Sequence, residues 1–134
     1  MSDYAPRMIR FVRANVSVTV DSCTAEVEVE TADVGCFVGS AQGGISEADQ
    51  LRAVARATAD ALSDAFAAQN AIVRVLGVKV IDAVPHNAVM VTLAASKGTH
   101  NSTLLGICDG DTHDTPKATA LAVLNATNRF LSRQ

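Results

Sequence analysis

The chain has 134 residues, which corresponds to one ordinary domain. Hydrophobic residues make up 49% of it and charged residues 19%, so a sizeable core can be buried, although aromatic residues are only 4%. The formal net charge of −3 and the lack of a basic tract exclude the clustered positive charge that nucleic-acid binding needs.

The three cysteines, Cys23, Cys36 and Cys108, are odd in number and form no CxxC pair, which excludes a disulfide framework and a zinc knuckle. Charges within residues 1–13 do not fit a signal peptide. No run of 18 apolar residues occurs, so no membrane-spanning segment is expected. These exclusions predict a cytoplasmic protein, and no motif predicts a cofactor, a metal or a catalytic residue set.

Residues 1–7 are polar and are predicted to form a loose N-terminus. Alternating polar and apolar residues predict strands in the region that follows. Gly39-Ser-Ala-Gln-Gly-Gly44 is predicted to break that pattern as a turn. Ser46 is the predicted N-cap of a helix over 48–69, with Asp49 three residues later. The predicted strands cover 15–20, 24–30 and 35–39.

The second half repeats this order. After its strands, Asp109–Asp114 is predicted to be a polar loop. Thr115 is the predicted cap of the final helix, over 116–132, because Pro116 suits the first helical position. The predicted strands cover 72–84, 88–94 and 102–108.

A shift of 67 residues places Gly39 on Gly106 and Gly43 on Gly110. Glycines at matched spacing before two capped helices indicate a duplication, and they are predicted to serve turns that need positive φ or close backbone approach. We therefore predict a single α+β domain of two strand-strand(-strand)-helix units, about 8–69 and 70–134. Their antiparallel sheets would pack against two helices around a pseudo-twofold axis, with the sheets on one side. The same shift aligns the helices, with Val54 on Leu121 and Ala55 on Ala122.

Residues 14–132 resemble the C-terminal regulatory domain of 2-isopropylmalate synthases. The resemblance rests on a strand ending at Gly106, an Asp-rich loop, the Ala-rich helix Lys117–Leu131 with its Asn128-Arg129 pair, and the glycine turn at 39–44. It implies two strand-and-helix repeats that bind a small amino acid at a dimer interface, near the glycine turns. The residues it places at such a site are Gly39, Gly43, Gly44, Gly106, Asp109 and Gly110.

Two features of the chain have open interpretations. The helix starts at Ser46 and Thr115 offer free N–H groups that could hold a carboxylate or phosphate, or these residues simply cap the helices. Asp109, Asp111, His113 and Asp114 could bind a metal or act as acid–base groups, or they form a solvated acidic loop. Cys108 with His113 could be a nucleophile pair, or a buried inert thiol.

The leading hypothesis is a non-catalytic homo-oligomeric module, regulatory in role, that binds a small anionic or amino-acid-like metabolite. An Ala- and Val-rich core with few large anchors favours burial by oligomerisation. One alternative is a small enzyme with an active site at a subunit interface, using Asp109, Asp111 and His113. Another is an assembly protein that uses exposed sheet edges. The predicted ligand-binding residues are Gly39, Ser40, Gly43, Gly44, Ser46, Gly106, Asp109, Gly110 and Thr115.

Overall fold

The chain folds as two antiparallel three-stranded sheets and two long helices, which confirms the predicted α+β class. This computed structural model describes residues 9–32, 35–82, 87–109 and 115–132, so the predicted loose N-terminus at 1–7 lies outside the described residues. The first unit contains β1 (Ile9–Val18), β2 (Cys23–Thr31), β3 (Gly35–Gly43) and α1 (Glu47–Ala65). After a short 3-10 turn, Ala67–Gln69, the second contains β4 (Ala71–Ile81), β5 (Ala88–Lys97), β6 (His100–Asp109) and α2 (Thr115–Ser132).

The strand pairing shows that the two units repeat each other. In each sheet the second strand is central, and the first strand carries one β-bulge, at Val12 in β1 and at Leu76 in β4. These positions are 64 residues apart. Arg10 opposite Glu30 and Arg74 opposite Ala94 differ by the same offset, so β1–β2 and β4–β5 are equivalent hairpins.

Each helix packs against strands of both units. Helix α1 covers β2 and β3 and also contacts β4, while α2 covers β5 and β6 and also contacts β1. The helices contact each other as well. This crossed packing matches the predicted pseudo-twofold arrangement, but each helix is covered from several sides rather than forming one outer layer. Only one narrow stripe of α1 is exposed, made up of Arg52, Arg56, Asp60 and Asp64.

The core between these elements is built from small side chains. Alanine and valine dominate it, and Phe66 is its one fully buried aromatic residue among those described. Ser46 is the N-cap of α1, as predicted, with its hydroxyl accepting from the Asp49 backbone N–H at 3.1 Å. The charge of Asp49 also suits the positive end of that helix.

The glycine-rich segment 39–44 corrects the sequence prediction. It was expected to interrupt the third strand, but β3 continues to Gly43, and β6 likewise runs from His100 to Asp109 through Gly106. Neither Gly39 nor Gly106 has positive φ; the described glycines that do are Gly35 and Gly98. A strand bearing glycine remains a strand when a neighbouring backbone occupies the space of the missing side chain.

The helix alignment is also corrected. Gly39 lies under Ala57 and Ala61 of α1, and Gly106 under Ala122 and Ala126 of α2. The helices are therefore offset by 65 residues, whereas β3 and β6 are offset by the predicted 67. A single shift fails because the connections between strands and helices differ in length between the two units.

Candidate functional site

Two of the predicted ligand-binding residues, Gly39 and Gly106, are buried beneath the helices. A methyl group at Gly39 would overlap the Ala57 carbonyl oxygen and lie 2.6 Å from the Ala61 backbone nitrogen. One at Gly106 would overlap the Ala122 carbonyl oxygen and lie 2.9 Å from the Ala126 nitrogen. The close backbone approach predicted for these glycines is therefore confirmed, and a helix fills the space above each of them.

The structure brings Gly43, Gly44 and Ser46 together at the start of α1, around Asp49. A methyl group at Gly44 would lie 2.5 Å from a carboxylate oxygen of Asp49, and one at Gly43 would lie 3.2 Å from its carbonyl oxygen. The Ser46 hydroxyl already bonds the Asp49 backbone. An anion here would meet a negative side chain, which lowers the attraction that the helix start alone would offer. Ser40 is exposed on the outer face of β3.

The acidic loop lies largely outside the described residues. Asp109 is exposed at the end of β6, and Thr115 begins α2, with its carbonyl oxygen accepting from the Thr119 hydroxyl at 2.7 Å. Gly110, Asp111, His113 and Asp114 fall in the undescribed segment. Within the described ranges no group of three or more His, Cys, Asp or Glu side chains could hold a metal ion.

Neither accessible thiol has the environment of a nucleophile. Burial raises the pKa of the Cys108 thiol, and the nearby Asp109 charge raises it further, although Lys117 opposes this. Hydrogen bonding to Glu28 raises the pKa of the exposed Cys36 thiol, and burial and the charges of Glu28 and Glu30 add to it. Reactive cysteines need the opposite shift, because the thiolate is the nucleophile.

Cys36 should react with iodoacetamide only at higher pH than an unperturbed cysteine does. Since the carboxylates disfavour the thiolate, the pH midpoint of alkylation is displaced upward, and Glu28→Gln should move it back down. Peptide mass spectrometry after alkylation across a pH series measures this site by site. Cys108 serves as the internal control, because Glu28→Gln should leave its midpoint unchanged. An unmoved Cys36 midpoint in the variant contradicts the assignment to Glu28.

The outer face of the first sheet is covered by ion pairs. Glutamates along β2 face arginines on β1: Arg10 pairs with Glu30, and Arg13 lies 2.9 Å from both Glu28 and Glu26. The alternating Glu26, Glu28, Glu30 row was predicted to be the wet face of a sheet. A surface whose charges are paired and hydrated is poorly suited to burial against another protein.

The outer face of the second sheet is apolar at the equivalent positions. The three glutamates of β2 correspond to Met90, Thr92 and Ala94 of β5 by the offset of 64 residues. On β6 beside them, Leu105 is 65% exposed and Ile107 is 54% exposed, and Leu76 at the β4 bulge is 52% exposed. We call Leu76, Met90, Thr92, Leu105 and Ile107 the outer patch.

The sequence analysis missed the outer patch. The signal was present, because aligning β1–β2 with β4–β5 at an offset of 64 sets Glu against Met, Thr and Ala. The glycines of β3 and β6 suggested an offset of 67 instead, and at that spacing the exchange is hidden. The repeat therefore identifies the patch only once the strand register is known.

The free edges of the sheets are partly covered by helix side chains. Arg56 of α1 donates from Nη1 to the Gln42 carbonyl oxygen at 3.3 Å, and Asn125 of α2 donates from Nδ2 to that of Ile107 at 3.2 Å. On β4, the Val73 backbone N–H donates to the Ser63 hydroxyl at 3.1 Å. Satisfied edge groups are unavailable to another chain, which weighs against assembly through sheet edges.

The chain matches no protein-family model, and no curated protein sequence matches it. In the part of the chain that the structure describes, no helix combines the length and apolar character needed to cross a membrane.

Proposed function

We propose that this domain is a non-catalytic module that self-associates through the outer patch of its second sheet. The observation that supports the proposal is the contrast between two equivalent faces of one duplicated fold. One carries arginine–glutamate pairs, and the other has exchanged all three glutamates for Met90, Thr92 and Ala94 and exposes Leu105 and Ile107 beside them. Exposed apolar patches on folded domains commonly mark interaction sites.

A second copy of the chain is the proposed partner, and the size of the face supports it. Strands of about ten residues and three strands across give a face of ~34 Å by ~14 Å, or ~500 Å² per copy. Two such faces together reach the ~1,000 Å² that a specific interface should bury.

The charges that flank the patch also fit self-association. Lys79 lies on β4 in the row of Met90 and Ile107, while Asp109 lies at the end of β6 on the opposite edge. A twofold axis parallel to the strands lays β4 of one copy over β6 of the other, which brings Lys79 of each copy towards Asp109 of the second copy. Complementary rim charges of this kind fix the orientation of a symmetric interface.

Leu105→Lys should convert a dimer into a monomer, because it places a charge at the centre of the buried patch. We expect the dimer dissociation constant to rise at least about tenfold, since burying an unpaired charge is costly. Sedimentation velocity from low to high micromolar protein measures the change.

Val38→Lys is the matched control, because Val38 is the equivalent of Leu105 on the ion-paired sheet and is 46% exposed. It should leave the dissociation constant unchanged. A wild-type protein that stays monomeric at high micromolar concentration contradicts the proposal, and so does equal weakening by the two substitutions.

A further inference from the structure

A second feature of the outer face of β4–β6 lies beyond the outer patch, towards the β5–β6 turn. It is a trough of about 590 Å³, and its side chains are small, polar or cationic. The trough is lined by Ile72, Arg74, Ala94, Ser96, Asn101 and Thr103, together with the strand backbone at Ala95 and Ser102.

Comparison of the repeats shows what is unusual about Arg74. Its equivalent in the first unit is Arg10, whose guanidinium pairs with Glu30 on the neighbouring strand. Opposite Arg74 stands Ala94, at the position equivalent to Glu30. The second unit has therefore kept the guanidinium and lost its carboxylate.

No described residue replaces the missing carboxylate. Arg74 is exposed and forms no ion pair with the described part of the chain. The trough lining contains no acidic residue, although the chain as a whole carries a net charge of −3. Arg74 is thus a cation with a vacant position beside it, where Ala94 leaves room that the Glu30 side chain takes in the other unit.

The chemistry of the trough suits one kind of ligand. Guanidinium groups bind carboxylates through two parallel hydrogen bonds, and such pairs are stronger than neutral hydrogen bonds. Ser96, Asn101 and Thr103 add hydroxyl and amide donors along the same wall. Ile72, which is 61% exposed, offers an apolar surface beside them. A ligand with a carboxylate and a short aliphatic part would satisfy all of these groups.

We infer that the trough is a binding site for small organic carboxylates, with Arg74 as the anion-binding residue. The ligand's carboxylate takes the place that Glu30 holds opposite Arg10 in the first unit. This inference does not depend on self-association, because it rests on Arg74 and the trough lining rather than on Leu105 and Ile107.

Titration of the ¹⁵N-labelled full chain with butyrate tests the inference, using chloride at equal ionic strength as the control anion. We expect saturable shifts of the Ser96, Asn101 and Thr103 amide signals, with a dissociation constant of about 1 mM or tighter. Chloride should not reproduce them. Arg74→Gln should weaken binding by about tenfold or more, because it removes the charge-assisted pair.

Arg52→Gln is the matched control, since Arg52 is another exposed arginine, on α1 and away from the trough. It should leave the butyrate dissociation constant unchanged. Shifts that never saturate, that chloride reproduces, or that fall equally in the two variants would overturn the assignment. Binding that survives Arg74→Gln unchanged would overturn it as well.

Discussion

Gly39→Ala should destabilise the domain by about 3 kcal/mol or more, and Gly106→Ala by a similar amount. At each position the added methyl group overlaps a helix carbonyl oxygen, Ala57 for Gly39 and Ala122 for Gly106. Backbone atoms cannot move aside as a flexible side chain can, so the helix must lift off its sheet. The loss is a large part of the roughly 5–15 kcal/mol by which domains are stable. Urea denaturation followed by circular dichroism measures it.

Gly77→Ala is the matched control, because Gly77 also lies within a strand but an added methyl group there meets no atom within 4 Å. Its φ is not among the positive values, so alanine fits the backbone as well. We expect a change within about 0.5 kcal/mol. If Gly39→Ala costs no more than Gly77→Ala, α1 does not sit as closely on β3 as the structure shows.

These glycines also show how far sequence reasoning could go. Spacing alone identified the duplication, and it assigned Gly39 and Gly106 a role in close backbone approach. It could not tell a turn from a strand covered by a helix, because glycine serves both and the difference depends on tertiary contacts. The predicted ligand role of the glycine segment remains a prediction. The structure places a helix over Gly39 and Gly106, and Asp49 beside Gly43 and Gly44.

The outer faces were hidden from the sequence for a different reason. Strand alternation predicted that Glu26, Glu28 and Glu30 face water, and the structure places them there. For the second sheet, alternation cannot separate the faces, because β5 presents apolar or small residues on both. Only the burial of Val89, Val91 and Leu93 shows which face is covered by the helices and which is open.

Fragments that separate the two units, 1–69 and 70–134, should each fail to fold as a monomer. Each helix needs the first strand of the other unit, because α1 contacts β4 and α2 contacts β1. A chain of about 65 residues already buries a small fraction of its surface, and separation also exposes the shared alanine-rich helix contact. Mixing the fragments should restore a cooperative unfolding transition, which makes the mixture the control for chemical integrity. A cooperative, monomeric transition in either fragment alone would show that the units are independent domains, contrary to the crossed packing.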